Sequence, residues 1–371
     1  MTKKKPKVLI VGAFQRTHGD NRIGGLAFAC SSLVNSELAD QYDFVLIDST
    51  IRSIKSRTGI HRLPSAVYRI SLAFWHMLFK RLHCVVCFSS HGNSFLEKGM
   101  IILLGRVLFQ RTVLFPRSGH LATQLTPDGW RRRFARLTLR CTWRVFCQSR
   151  TWKDFYIDVL SNSQSSAQIQ EKFQVIENWL PDEYFVDKRP VASSDGPEFV
   201  VGFYNRLERD KGIYDFLDAV AAANKMNPNI RGLVIGDGTE ADAIAKLTQE
   251  KYANVVEFRG WLHSDEKEEL CKLDMILFCS LAEGFPNSLL ENLALKIPCV
   301  ATRVGAVGDV IVDNHSGYLV DPADTLAMAD RIVDLSRDSQ RRESFAVNAY
   351  ERAKMTNSLS TAVCKISEAL G

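Results

Sequence analysis

Short, continuous apolar runs recur along this chain, and their length leaves little choice of architecture. Residues 8–11 form one that ends at Gly12, and residues 44–47, 85–88, 112–115, 145–148 and 174–176 form others. Such runs are too short for helices. Lacking alternation, they fit parallel strands covered on both faces. Between the first two, Leu26, Ala27, Ala29, Cys30, Leu33 and Val34 recur at helical spacing. Strands alternating with helices in this way predict a doubly wound α/β domain.

The stretch from Asp187 to Glu198 is polar and rich in chain breakers, which predicts a linker over 186–198. The rhythm then restarts. Residues 199–203 read as a strand, 212–225 as a helix, and 231–235 as a strand ending in Gly236-Asp-Gly238. A helix over 240–250 and a strand over 255–258 follow, then a helix capped by Ser264 with Asp265 and Glu266 in its first turn. Residues 275–279, 299–301 and 318–320 add strands, and 325–370 reads as helical. The expected architecture is α/β, two Rossmann-like domains facing a central cleft. Residues 1–185 form the first domain and 199–354 the second. The tail from about 355 to 371 is expected to pack back on the first.

With 371 residues, 46% of them hydrophobic and 24% charged, the chain suits two globular domains and not intrinsic disorder. No apolar run reaches the roughly 18 residues that span a bilayer. Residues 70–79 contain His76, and 99–109 contain Arg106. The apolar run at 8–11 is too short for a signal peptide, so a cytoplasmic protein is expected. Nine cysteines, an odd number, fit reduced thiols. Cys84 and Cys87 sit in an apolar strand with no second pair or histidine to complete a zinc site, and read as core residues.

The charge is divided. Residues 1–185 hold 26 Lys and Arg against 13 Asp and Glu, and the remaining residues hold 21 against 29. Between 51 and 150 there are 18 basic residues and only two acids, Glu97 and Asp128. Aromatics are interleaved, as in Trp130-Arg-Arg-Arg-Phe134 and Arg140-Cys-Thr-Trp-Arg144. Such a field predicts an anionic partner. An anionic membrane surface, a nucleic acid and a phosphorylated substrate compete for that place. The membrane is favoured, with Trp75, Phe79, Lys80, Arg81 and residues 130–144 as contacts. No nucleic-acid-binding module is recognisable.

The chemistry is concentrated in the second half. In Glu283-Gly-Phe-Pro-Asn-Ser-Leu-Leu-Glu291 a strand runs into a loop holding Gly284, Phe285 and Pro286, and a helix begins near Asn287 and Ser288. Asn287 is a good N-cap residue. Glycine permits close backbone approach, and a helix N-terminus suits a diphosphate. Glu291, one turn into the helix, can accept hydrogen bonds from a vicinal diol, while Glu283 can reach another part of the same ligand. Arg206 and Lys211, past the strand at 199–203, place a guanidinium and an ammonium where they can neutralise a diphosphate leaving group.

These residues resemble a family, the family-4 retaining glycosyltransferases of the GT-B fold. Glu283 to Glu291 is similar to its E-x7-E motif. Asn205-Arg-Leu with Lys211-Gly212 is similar to its G-R-L…K-G element. Leu233-Val-Ile-Gly-Asp-Gly238, Gly305 with Asp309, and Gly317-Tyr-Leu-Val-Asp-Pro322 resemble later elements. Gly24-Gly25 resembles its glycine pair, Ile176-Glu-Asn178 the close of its first domain, and His120 a histidine after the fourth strand. The resemblance implies transfer of a sugar from a nucleotide-sugar, a UDP- or GDP-sugar, to a glycan or lipid-linked acceptor in surface polysaccharide, lipopolysaccharide or O-antigen assembly. It implies that Arg206 and Lys211 bind the diphosphate, Glu283 the sugar and Glu291 the ribose. It also implies that residues 285–288 face the phosphates and sugar, that the Gly24–Gly25 loop closes on the diphosphate, and that His120 orients the sugar. No cofactor and no metal are expected, and no Asp-x-Asp is present. The leaving phosphate is expected to accept the acceptor's proton.

The chain departs from the pattern in places. Asp309 stands where a glutamate is commoner, Ala306 replaces a second glycine, and the 16–22 loop is long and polar. Nucleobase contacts are expected near 261–263. Among alternatives, a nicotinamide-dependent dehydrogenase needs G-x-G-x-x-G after a strand. Gly12-Ala-Phe-Gln-Arg-Thr lacks it. A GT-B sugar-nucleotide epimerase would not need the basic face, and an inactive homologue would not need both carboxylates and both bases.

Overall fold

A computed structural model of the chain describes residues 4–15, 25–50, 62–125, 129–160, 167–186, 198–262 and 266–371. Backbone contacts divide the chain into two compact units, Met1–Trp179 with Leu359–Gly371, and Leu180–Ser358. The division falls ahead of the expected linker, most of which lies outside the described residues.

The first unit is built on a parallel sheet of β1 (Lys7–Gly12), β2 (Asp43–Asp48), β3 (Leu82–Ser89), β4 (Thr112–Pro116), β5 (Arg144–Cys147) and β6 (Phe173–Val175), in the order β2-β1-β3-β4-β5-β6. Its strands are unbroken apolar runs because helices cover both faces. Val8, Leu9, Ile10 and Val11 of β1 are all at most 1% exposed. Cys84 and Cys87 are buried in β3, and desolvation pushes both thiols up to about 12, so they stay protonated at neutral pH.

The second unit repeats the plan with β7 (Phe199–Tyr204), β8 (Ile230–Ile235), β9 (Val256–Gly260), β10 (Met275–Phe278), β11 (Cys299–Thr302) and β12 (Tyr318–Val320), in the order β12-β11-β10-β7-β8-β9. All neighbours are parallel. The strand order reverses between β7 and β10, and in such sheets ligands lie beyond the carboxyl ends of the strands at that reversal. Gly212, just after the β7 loop, has φ of 72°. A Cβ there would stand 1.9 Å from the carbonyl oxygen of Cys279, at the end of β10. Only glycine permits that approach.

The tail is three helices, Thr325–Arg337, Ser339–Asn357 and Leu359–Leu370. Asp324 and Asp338 cap the first two, accepting from the N–H groups of Ala327 and Arg341. The third belongs to the first unit. Ala362, Val363, Ile366, Ala369 and Leu370 join Val8, Ile10, Phe115 and Trp179 in one core. Lys365 Nζ reaches Glu177 Oε2 at 2.6 Å, and His83 Nε2 lies 2.7 Å from the Leu370 carbonyl. The expected cap at Ser264 lies outside the described residues.

Burying Val363, Ile366 and Leu370 contributes about 1.5–3 kcal/mol each. Together that is comparable to the whole stability of an ordinary domain. Truncation after Ser358 is therefore expected to unfold the first unit alone. Limited proteolysis would then leave the 180–358 unit as the protected fragment, where the full chain protects both.

Candidate active site

Loops at the carboxyl ends of β7, β10 and β11 meet in the second unit. Past β7, the Asn205 side chain accepts from the Arg206 N–H at 2.9 Å. Arg206 is exposed, and its Nη2 reaches Glu208 Oε1 at 3.0 Å. Thr239 donates to the other carboxylate oxygen at 2.6 Å. That hydrogen bond holds the Glu208 carboxyl below its ordinary pKa, against partial burial, and the Arg206 charge adds to it.

Lys211 closes a short turn, Arg209–Lys211. Its Nζ lies 2.9 Å from Glu283 Oε1 and 3.8 Å from Asp210 Oδ2, with the Lys211 and Glu283 side chains only 17% and 11% exposed. Ser280 donates to the same Glu283 oxygen at 2.9 Å. The Ser280 carbonyl in turn accepts from Thr302 Oγ1 at 2.5 Å, which ties the β10 loop to β11. Gly305 follows β11 with φ of 50°, and a Cβ there would stand 2.0 Å from the Glu283 carbonyl oxygen. The Glu283 backbone can sit where it does because residue 305 has no side chain.

The helix Asn287–Ala294 opens directly after this loop. Asn287 is its first helical residue and Pro286 the N-cap, which corrects the expected capping role of Asn287. Proline has no side-chain acceptor, but lacking an N–H it leaves one fewer unsatisfied donor at the helix start. Gly284, Phe285 and Pro286 are buried, and Ser288 and Glu291 are half-buried. Of the residues singled out by sequence, Lys211 and Glu283 are thus in direct contact, whereas Arg206 turns to Glu208.

His120 and Gly25 belong to the first unit. Gly25 opens a helix and is exposed; Gly24, the 16–22 loop and His263 lie outside the described residues. His120 is exposed at the start of the helix His120–Leu125, past β4. Its ring meets that of His91 edge-on, with centroids 5.2 Å apart, and His91 Nδ1 is 2.9 Å from Ser118 Oγ. Sequence reading missed His91, which follows β3 without a motif around it. It also gave Arg117 no role. The Arg117 guanidinium lies between the rings of Phe115 and Trp179, 5.0 and 4.7 Å from their centroids. Burial lowers its pKa to about 10, so it stays charged at neutral pH.

Burial, and then the neighbouring His120, lower the His91 pKa below its ordinary value. A depressed histidine favours folding above its unfolded pKa of about 6.5, and that stability is lost as the pH falls through the folded value. In a histidine NMR titration the His91 midpoint is expected below about 6.5, moving up toward it in His120→Gln.

A groove of about 930 Å³ between β8, β9 and the helix Ala241–Glu250 contains none of these residues. Among the described residues no group of three or more His, Cys, Asp or Glu could hold a metal ion.

Residues 186–352 match the family model of the glycosyl transferases of group 1. The capsular polysaccharide biosynthesis glycosyltransferase CapM of Staphylococcus aureus is 28% identical over 207 residues, 54% of this chain and 52% of that protein. The N-acetyl-alpha-D-glucosaminyl L-malate synthase of Bacillus anthracis is 33% identical over 165 residues, 44% and 42% of the two chains. The chain spans about half the length of the relatives it matches. Among solved structures, Anabaena Alr3699/HepE in complex with UDP superposes with a TM-score of 0.72 at 17% identity, covering 98% of this chain and 99% of that one. Sucrose-phosphate synthase from Thermosynechococcus elongatus gives 0.71 at 16%, covering 98% of each. At these identities the likeness shows the fold, two parallel six-stranded sheets of the GT-B type. Residues 186–352, where both carboxylates and both bases of the site lie, are thus similar to the glycosyl transferases of group 1.

Proposed function

We propose that the chain is a retaining, metal-independent glycosyltransferase. It moves a sugar from a nucleoside diphosphate to a hydroxyl of a glycan or lipid-linked glycan in bacterial surface polysaccharide assembly, on the cytoplasmic side of the membrane. The observation that carries this reading is the Lys211–Glu283 pair at the β7/β10 reversal, beside the start of the helix Asn287–Ala294. An ammonium and a helix N-terminus near one another suit a diphosphate. A carboxylate held by two donors stands next to them, ready to accept from a sugar hydroxyl.

In this reading Lys211 and Arg206 bind the diphosphate, Glu283 the sugar and Glu291 the ribose diol. Residues 284–288 line the phosphates and sugar. The bond from the anomeric carbon to the phosphate oxygen breaks as the bond to the acceptor oxygen forms on the same face. The departing phosphate oxygen takes the acceptor's proton. The protein then contributes positioning and charge stabilisation and supplies no nucleophile of its own. Lys211 is already paired, so a diphosphate must share it with Glu283. The pairing with Glu283 fixes the direction of the ammonium.

The test is a thermal-shift panel with UDP, GDP, ADP and NAD. UDP comes first because the Anabaena neighbour holds it. A ligand at a hundredfold excess over its Kd stabilises the folded state by about 2.7 kcal/mol. One nucleoside diphosphate is expected to raise the melting temperature, and Glu291→Ala and Lys211→Ala to abolish the rise. A shift with NAD alone would overturn the reading. In a donor-hydrolysis or transfer assay Glu283→Gln is expected to lower kcat by about 10²-fold or more, and chelators to leave the rate unchanged.

A further inference from the structure

The helix Arg62–Phe79 is turned inside out. Its charged side chain Arg69 faces inward, where Nε and Nη2 clasp the buried carboxylate of Glu97 at 2.8 and 2.6 Å. His76 also turns inward, with Nδ1 buried. Ala73 and Met77 complete the inner face. Outward, one row is Leu63, Val67, Phe74 and Leu78, and a second, about a quarter-turn round, is Tyr68, Trp75 and Phe79. These side chains are 39–70% exposed. The only other described exposed positions on this helix are Pro64, Ser65 and Ser71, so no described exposed position on it bears a charge. The indole of Trp75 leans on the ring of Phe79 with centroids 4.1 Å apart. Soluble proteins seldom expose so continuous an apolar face without a use for it.

The surroundings of that face select its occupant. Lys80 and Arg81 follow the helix directly, and Arg81 is exposed. The turn after the helix Asn93–Val107 lies beside the same end, because Gln110 Nε2 donates to the Met77 carbonyl at 3.2 Å. That turn presents Phe109, 92% exposed in a left-handed conformation, between exposed Arg106 and Arg111. The first unit's ion pairs among the described residues are Arg69–Glu97, Lys98–Glu97, Arg132–Asp158 and Lys365–Glu177. None involves Lys80, Arg81, Arg106 or Arg111. Two copies joined through this face would bring these unpaired cations together. An anionic bilayer would instead take the apolar rows into its interface and place the cations among its headgroups. With 18 residues the helix is about 27 Å long. No helix of the described residues is long and apolar enough to cross a membrane, so this one can only lie in the interface plane.

We propose that the outer face of the helix Arg62–Phe79, with Phe109 and its flanking cations, inserts into the interface of an anionic lipid bilayer. Attachment is then driven chiefly by apolar area and only tuned by charge, which distinguishes it from simple adsorption of a basic surface. The inference stands apart from the donor site, and its test uses no nucleotide.

The full chain is sedimented with vesicles of phosphatidylglycerol and phosphatidylcholine, and of phosphatidylcholine alone, at about 0.1 and 0.5 M NaCl, where screening lengths differ by about twofold. The wild type is expected to bind the phosphatidylglycerol vesicles and to lose less than about tenfold in affinity at the higher salt. Val67→Ser, Trp75→Ser and Phe79→Ser combined are expected to weaken binding at least about tenfold at both salts, with the melting temperature unchanged. Arg81→Gln with Arg111→Gln is expected to weaken it at low salt only. No binding to phosphatidylglycerol vesicles at low salt would overturn the proposal, as would a triple variant that binds like the wild type. Binding abolished outright at the higher salt would reduce the surface to electrostatics and overturn insertion. A wild-type dimer that ignores vesicles, and that the triple variant turns into a monomer, would assign the face to a second copy.

Discussion

Everything at the candidate site hangs on how closely two loops of the second unit can approach at the β7/β10 reversal. Gly212 lets the backbone after β7 touch the carbonyl at the end of β10, and the Leu281 N–H then donates to the Asp210 carbonyl at 2.8 Å. Those backbone contacts set the span across which Lys211 reaches Glu283. A side chain at 212 would part the loops by more than the reach of a 2.9 Å hydrogen bond can tolerate. Gly305 repeats the arrangement one strand further on, against the Glu283 backbone. The site is therefore a product of backbone proximity first and of charged side chains second.

Electrostatics then decides what the crevice can hold. Arg206 and Lys211 each have an acid partner, so neither is a bare cation. Pairing keeps both side chains in place and limits the cost of a largely buried ammonium. The first unit follows the same rule with a different outcome. Its Arg69–Glu97–Lys98 cluster is largely buried and occupied with itself, whereas Lys80, Arg81, Arg106 and Arg111 enter none of the ion pairs of the described residues. Two populations of positive charge thus coexist in one basic half, and only the surface population is available to a partner.

Much of this was legible in the sequence, and the limits have a physical cause. The strands could be read because a parallel sheet covered on both faces demands unbroken apolar runs, which β1 and β10 display. The E-x7-E segment could be read because glycine, proline and a helix start must follow one another along the chain. Pairings between distant segments could not. Nothing near Lys211 announces a contact with Glu283, 72 positions away, and His91 has no local signature for its meeting with His120. The helix Arg62–Phe79 shows a further limit. Its apolar periodicity is strong, but periodicity alone does not say which face the fold turns inward. Arg69 decides it, because the carboxylate it needs belongs to another helix. The capping role expected of Asn287 failed by one position, since proline could occupy the N-cap itself.

The last helix has a consequence for the order in which the chain matures. Residues 180–358 form a unit whose ends lie together, with the Leu180 N–H donating to the Asn357 carbonyl at 2.9 Å. That unit is contiguous, so it can close as soon as Ser358 clears the ribosome. The first unit emerges earlier but lacks the wedge of Val363, Ile366 and Leu370 until those residues follow the second unit out. At about 5–20 residues per second, its incomplete core waits roughly ten seconds or more while the other unit is made. The half that is translated first is the half that finishes last, and during that interval a chaperone would find its open core.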